Sequence, residues 1–188
     1  RCNANNIADV ISTVAARYNE PAFDYEAWEN SEYLPTPTIV EAAQALYRGH
    51  NVHDITRSDA GAENLTVTTD EINRIIEHSK ANGRKSICFV TGVPGAGKTL
   101  VGLNIAIQRS NAQQGEHAVF LSGNFLLVTV LQEALARDKV EQEKQRGNRV
   151  SKADALRSTS AFIQIIHKYR DSFVGNNSIP PERVAIFD

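Results

Sequence analysis

The chain has 188 residues, 41% of them apolar, a formal net charge of −2 and no methionine. The apolar share is enough for a packed core, so disorder is not the default. Two cysteines exclude a disulfide framework and fit a reducing cytoplasm, and no apolar run approaches the roughly 20 residues of a membrane span. Charge is uneven along the chain. Residues 1–80 carry 6 Lys/Arg against 13 Asp/Glu, whereas residues 137–170 carry 9 against 4, an asymmetry that bears on partners rather than on fold. Starting on Arg1 and lacking Met, the sequence reads as a piece of a larger protein.

Ile7, Val10, Ile11 and Val14 have helical spacing, and Pro21 interrupts that pattern. The stretch from Phe23 to Tyr33, with Trp28, is aromatic and acidic. A helix is expected next, N-capped by Thr36 before Pro37, or by Thr38 in a capping box with Glu41. Ile39, Ala42, Ala43, Leu46 and Tyr47 would form its apolar face, and Gly49 would end it. His50 to Glu63 reads as polar loop, including the His50/His53/Asp54 cluster, whose spacing lacks the helix of known metal sites. A second helix is expected from about Thr68 to Asn82-Gly83, with Ile72, Ile75, Ile76 and Ser79 on one face.

From Ser86 the texture changes. Ile87-Cys88-Phe89-Val90 is a short continuous apolar run that predicts a strand buried on both faces, with a buried thiol at Cys88. A glycine-rich turn and a helix over about 98–109 follow. A second buried strand is expected at Ala118 to Leu121, then a helix over about 126–137. The basic segment of Lys144, Arg146, Arg149, Lys152 and Arg157 reads as a solvated surface insertion, with a phosphate-contacting arm as the alternative. One longer helix is expected over about 154–171. It would place His167 half-buried and Phe162, Tyr169 and Phe173 in the core. Ile179-Pro180-Pro181 precedes a last strand, Val184 to Phe187, and Asp188. This alternation argues for a parallel α/β sheet with right-handed crossovers.

Gly92-Val93-Pro94-Gly95-Ala96-Gly97-Lys98-Thr99 matches G-x-x-x-x-G-K-[ST], the P-loop or Walker A pattern. It falls between an apolar strand-like run and an apolar helix beginning near Leu100, which is the context the motif needs. Gly92, Gly95 and Gly97 would let backbone N–H groups approach phosphate oxygens, with the helix N-terminus adding its positive end. Lys98 would reach the β/γ-phosphates, and Thr99 would ligate Mg²⁺. Four apolar residues ending in Asp188 form a Walker B pattern, whose carboxylate holds Mg²⁺ in P-loop NTPases. The expected ligands are therefore ATP and Mg²⁺. Gly92 through Leu100 would form the nucleotide cradle, Thr99 and Asp188 would hold the metal, and Lys98 and Asp188 would be the catalytic side chains. With no acidic residue after Asp188, the chain as it stands is expected to bind nucleotide and to hydrolyse it poorly.

The run from Ile87 to Asn104 is more specific than a bare P-loop. Together with Phe120-Leu121-Ser122-Gly123-Asn124, Leu131 to Leu135 and Val184 to Asp188, it resembles the Schlafen group 3-like DNA/RNA helicase domain, a bacterial family of superfamily 1 helicase-like P-loop ATPases. Ser58 to Ala62 resembles that family's lead-in, so the likeness covers roughly residues 35–188. The resemblance implies a P-loop NTPase (RecA-like) fold preceded by a short helical appendage. It implies that Gly92 to Thr99 are helicase motif I and that Ser122 to Asn124 lie beside single-stranded nucleic acid. Asp188 would open motif II, which continues Asp-Glu-Ala-Gln in the family. Phe125-Leu126-Leu127 departs from the family's Gly-Pro-Leu turn. The implied partners are ATP, DNA or RNA, and a second RecA-like lobe of the same protein, with no membrane. The expected division is 1–34 as the tail of an upstream domain or a linker, 35–85 as a helical lead-in, and 86–188 as the NTPase core ending at Walker B. The implied function is an ATP-hydrolysing motor on nucleic acid. A nucleotide-dependent switch that never translocates is the alternative. A small-molecule kinase is disfavoured, because no acceptor pocket or Arg-rich lid is visible.

Overall fold

A computed structural model describes residues 6–17, 24–30, 37–50, 55, 59–110, 117–174 and 178–188. The chain divides into two compact units, Arg1–Pro35 and Thr36–Asp188. In the first, helix α1 spans Ile7–Arg17 and a five-residue helix α2 spans Tyr25–Glu29, N-capped by the Asp24 carboxylate. Ile7, Ile11 and Val14 on α1, and Trp28 on α2, are exposed. Thr36, Asn51 to Asp54 and Ser58 lie outside the described residues, so the first capping alternative, the His53/Asp54 reading and part of the lead-in are not addressed by the structure.

The second unit begins with α3, Ile39–Tyr47. Its N-terminus is the expected capping box: Thr38 Oγ1 accepts from the Glu41 N–H, and the Glu41 carboxylate accepts from the Thr38 N–H at 2.8 Å. Its C-terminus closes on Gly49, whose N–H donates to Leu46 O while the His50 N–H donates to Ala45 O, a Schellman pair. Helix α4 runs Asp59–Ala81. It starts about nine residues before the expected Thr68, so the polar stretch Asp59 to Glu63 is helical rather than loop. Its polarity had suggested a loop, but helix formation asks only for one apolar stripe, and here Leu65, Thr69, Ile72 and Ile76 supply it.

Helix α5, Lys98–Ser110, is buried from Leu100 to Ile107. Strand β1, Ala118–Ser122, is buried along its whole length. Helix α6 spans Phe125–Gln145, eight residues past the expected end, and closes with Gly147. Helix α7, Lys152–Phe162, is N-capped by Ser151. The expected single helix over 154–171 is broken at Ile163–Ile165, which forms strand β2 before helix α8, Ile166–Val174. Two β-branched residues in three favour extended backbone, and pairing with β1 satisfies it. The last strand, β3, is Val184–Phe187.

The sheet is parallel, in the order β2-β1-β3. Phe120 pairs with Ile163 on one side and with Ile186 on the other. The molecule is thus α/β with a small three-stranded parallel sheet flanked by helices. Its core gathers Phe120 and Ile163 with Leu103 and Ile105 of α5, Val128, Leu131 and Leu135 of α6, and Ala42, Ala43 and Leu46 of α3. Arg48, just past α3, donates through Nε and Nη2 to the buried Asp138 carboxylate of α6, to which Gln142 also donates.

One expected strand is absent. Ile87 to Val90 forms neither helix nor strand, and Ile87 and Phe89 are 83% and 87% exposed. Cys88 is a free, exposed thiol rather than a buried one. The run is apolar enough for a strand. A strand is defined by its neighbour, however, and no backbone group of Ile87 to Val90 bonds to the backbone of another described residue. His167 is likewise exposed, not half-buried. Phe162 is buried and stacks on Tyr47, while Tyr169 and Phe173 form a half-buried pair. Burial and a hydrogen bond to Glu182 push the Tyr169 phenol well above its ordinary range.

Candidate nucleotide-phosphate site

The glycine-rich turn joins residues 84–93, which are neither helix nor strand, to the first turn of α5. Gly95 and Gly97 have φ of +80° and +82°, a region that side-chain-bearing residues rarely adopt. Gly97 is constrained twice, because a Cβ there would stand 2.8 Å from Leu65 Cδ1 of α4. Leu65 is buried and braces the turn from beneath. Helix α4 is held in that register by a polar seam to α5: Asn104 donates to Thr69, Asn73 and Gln108 bond each other, and Arg109 donates to Asn73 and Glu77.

The turn leaves several backbone donors without a backbone acceptor. Among the described residues, the backbone N–H groups of Gly95, Gly97, Lys98 and Thr99 donate to no backbone carbonyl. Unpaired donors at a helix N-terminus attract an anion through both hydrogen bonds and the helix dipole. The Lys98 ammonium folds back over the turn and donates to Gly92 O and Val93 O, each at 2.9 Å. Val93, Pro94 and Ala96 form the exposed crest, and Leu100 anchors the helix in the core.

Parallel pairing then brings a distant carboxylate to this turn. Leu121 is in register with Phe187, and the Asp188 N–H donates to Leu121 O at 2.9 Å, so Asp188 follows the last rung of β3. Thr99 Oγ1 donates to Asp188 Oδ1 at 2.6 Å across 89 residues of sequence. Ser122 Oγ donates to Asp188 Oδ2 at 3.3 Å. The approach depends on Gly102, one turn after Thr99, where a Cβ would stand 2.9 Å from Ile186 Cγ2 and 3.2 Å from Phe120 Cε2. Helix α5 lies this close to the sheet because the position has no side chain.

The side chains fit Mg²⁺ better than a softer metal. One carboxylate and one hydroxyl meet here, and no cluster of three His, Cys, Asp or Glu occurs among the described residues. Mg²⁺ is commonly held in this way, by few protein oxygens, water and substrate phosphates.

The profile of the family described as Schlafen group 3, DNA/RNA helicase domain matches residues 85–188, more than half of the chain and the whole of this site. The chain belongs to that family. No curated protein and no solved structure matches it. The match starts at Lys85, so α3 and α4, which the sequence likeness included from about residue 35, lie outside the span shared with the Schlafen group 3 helicase domain.

Other expected residues sit elsewhere. Gly123 and Asn124 are exposed beyond β1, as are Phe125 and Leu126 at the start of α6. Ser122, read with them as a nucleic-acid contact, is 1% exposed and turned to Asp188 instead. The basic segment is partly neutralised: Arg146 pairs with Glu143, Lys152 with Glu133, and Arg157 with Asp154. Leu65 and Gly102 are the supports the sequence did not reveal. Both act through packing partners that only the fold supplies. No described helix is long and apolar enough to cross a membrane.

Proposed function

We propose that this chain grips the phosphates of ATP with Mg²⁺, as the nucleotide-binding part of a P-loop, RecA-like motor on DNA or RNA. The observation that carries this reading is the meeting of Thr99 and Asp188 beside a turn whose N–H groups have no backbone partner, with the Lys98 ammonium on the same turn. In this reading the N–H groups of residues 95–99 receive phosphate oxygens. Lys98 exchanges the carbonyls of Gly92 and Val93 for the β/γ-phosphates, and Leu65 keeps Gly97 in its required conformation. Thr99 and Asp188 would hold the Mg²⁺, which when bound neutralises charge on the phosphate oxygens. Family membership supports extending the reading to ATP hydrolysis and movement on nucleic acid by the whole protein, with a second RecA-like lobe. Exposed Asn124 and Phe125 at the sheet's carboxyl edge are the proposed nucleic-acid side.

Titrating a fluorescent ATP analogue tests this. Mg²⁺ should tighten binding, and Lys98→Ala should weaken it by at least about tenfold in affinity, since a charge-assisted contact is worth about 1.5–3 kcal/mol. Unchanged affinity in Lys98→Ala would sink the assignment. Tight nucleotide binding that no single-stranded DNA or RNA alters would favour the switch over the motor.

A further inference from the structure

We propose that Ser122 is a positioning residue for the metal carboxylate, fixing the orientation of Asp188 and tying it to the start of α6. This inference rests on the Mg²⁺-nucleotide reading above.

Alternation along the strands places the residues. Phe120 and Ile186 are in register and both meet Gly102 of α5, so they share one face. Two residues on, Ser122 and Asp188 return to that face. Ser122 is buried at the carboxyl end of a fully buried strand. Its hydroxyl has one proton to give and gives it to Asp188 Oδ2. It also accepts the Asn124 N–H at 3.2 Å. Asn124 in turn caps α6, its side-chain oxygen accepting the Leu127 N–H at 3.1 Å. A chain of hydrogen bonds thus runs from Thr99 through Asp188 and Ser122 to the first turn of α6.

The two carboxylate oxygens have different partners, and this gives Ser122 its role. Thr99 holds Oδ1, on the side of the turn, and Ser122 holds Oδ2, on the side of β1. Asp188 follows the last rung of its strand, and its two carboxylate oxygens are held by Thr99 and Ser122. With Oδ2 tethered, Oδ1 stays aimed at the turn. A competing explanation is that Ser122 merely closes a local turn to Asn124. That role would need no carboxylate at the other side of the hydroxyl, and it would not affect the metal.

Removing a partner that orients a metal ligand commonly costs 10–100-fold in metal affinity. The 3.3 Å bond is long for O–H···O, so the lower end, about tenfold, applies. The experiment measures the Mg²⁺ concentration at half-maximal binding of a fluorescent ATP analogue, alongside its affinity in EDTA and the thermal midpoint. Ser122→Ala should raise the Mg²⁺ midpoint about tenfold and leave the metal-free affinity in place. Ser122→Cys, which keeps the volume and weakens the donor, should move the midpoint the same way. Ser122→Thr, which keeps the hydroxyl on a good strand former, should restore it. A lowered thermal midpoint with an unmoved Mg²⁺ midpoint in Ser122→Ala and Ser122→Cys would overturn the proposal and leave Ser122 a structural residue. A wild-type chain that binds the analogue without regard to Mg²⁺ would overturn the nucleotide-metal reading itself, and this inference with it.

Discussion

Gly102→Ala sets two ordinary rules against each other. In an exposed helix interior, replacing Gly by Ala stabilises by about 1 kcal/mol through helix propensity. At Gly102 the new methyl would stand 2.9 Å from Ile186 Cγ2 and 3.2 Å from Phe120 Cε2, where carbon contacts normally lie at about 3.5–4.0 Å. Phe120 is fully buried and cannot retreat, while Ile186 is half-buried and can give partway. Overpacking of this kind costs about 1–3 kcal/mol. The propensity gain offsets part of that, leaving a net loss of about 0–2 kcal/mol. The larger effect falls on the site. If α5 lifts by about 0.5 Å to clear the contact, the 2.6 Å bond from Thr99 to Asp188 stretches to the edge of hydrogen-bond range. Mg²⁺-dependent binding of an ATP analogue should then weaken by about tenfold, as misplacement of reacting groups by a fraction of an ångström to 1 Å commonly does. Urea unfolding and an Mg²⁺ titration of analogue binding measure the two effects. A variant stabilised by about 1 kcal/mol, with unaltered Mg²⁺ dependence, would refute the claim that helix-to-sheet contact at Gly102 sets the site.

Arg48→Met should destabilise by about 2 kcal/mol in urea unfolding. That is below the 3–5 typical of broken buried pairs, because Arg48 is half-exposed and Gln142 still donates to Asp138. Adding Asp138→Leu to it should recover stability rather than lose more, since no buried charge is then left unpaired. Glu41 gives a pH-dependent case. Hydrogen bonds from the Thr38 N–H and hydroxyl hold its carboxyl below the ordinary value of about 4.3. Its contribution is therefore present above that ordinary value and lost as pH falls through the depressed one. The stability gap between native chain and Glu41→Gln should stay constant from about pH 7 to 5 and narrow as pH falls through the depressed value.

Local chemistry made much of the fold legible. The Thr38/Glu41 box, the Gly49 and Asn82-Gly83 stops and the β-rich run at Ala118 each depend on residues within one or two turns of each other. The misses fall where a neighbour decides. Ile87 to Val90 and Ile163 to Ile165 are both short and rich in β-branched or aromatic residues, and periodicity cannot separate strand, helix and unpaired chain at that length. Ile163 to Ile165 became a strand because β1 lies beside it, while Ile87 to Val90 has no backbone partner among the described residues. Asp59 to Glu63 reads as loop from its composition, while the stripe seen along α4, at Leu65, Thr69, Ile72 and Ile76, lies further along the same helix.

The candidate site divides in the same way, and the division explains why a short pattern could point to it at all. Gly95, Gly97, Lys98 and Thr99 are contiguous, so their cradle is written in one stretch of chain. Asp188 joins them only through parallel register, carried from Ala118–Val184 to Leu121–Phe187. Reading Asp188 as a Walker B residue therefore assumed a sheet that the sequence could only suggest. Ser122 shows what that assumption hid. By position it belonged with exposed Gly123 and Asn124, yet strand alternation turns it inward, onto the face that carries Phe120, Ile186 and Asp188. The period of two that marks a strand from its sequence also sorts its last residues between the Asp188 carboxylate and the solvent. A residue at a strand's carboxyl end is thus best assigned only after the register of its neighbour is known.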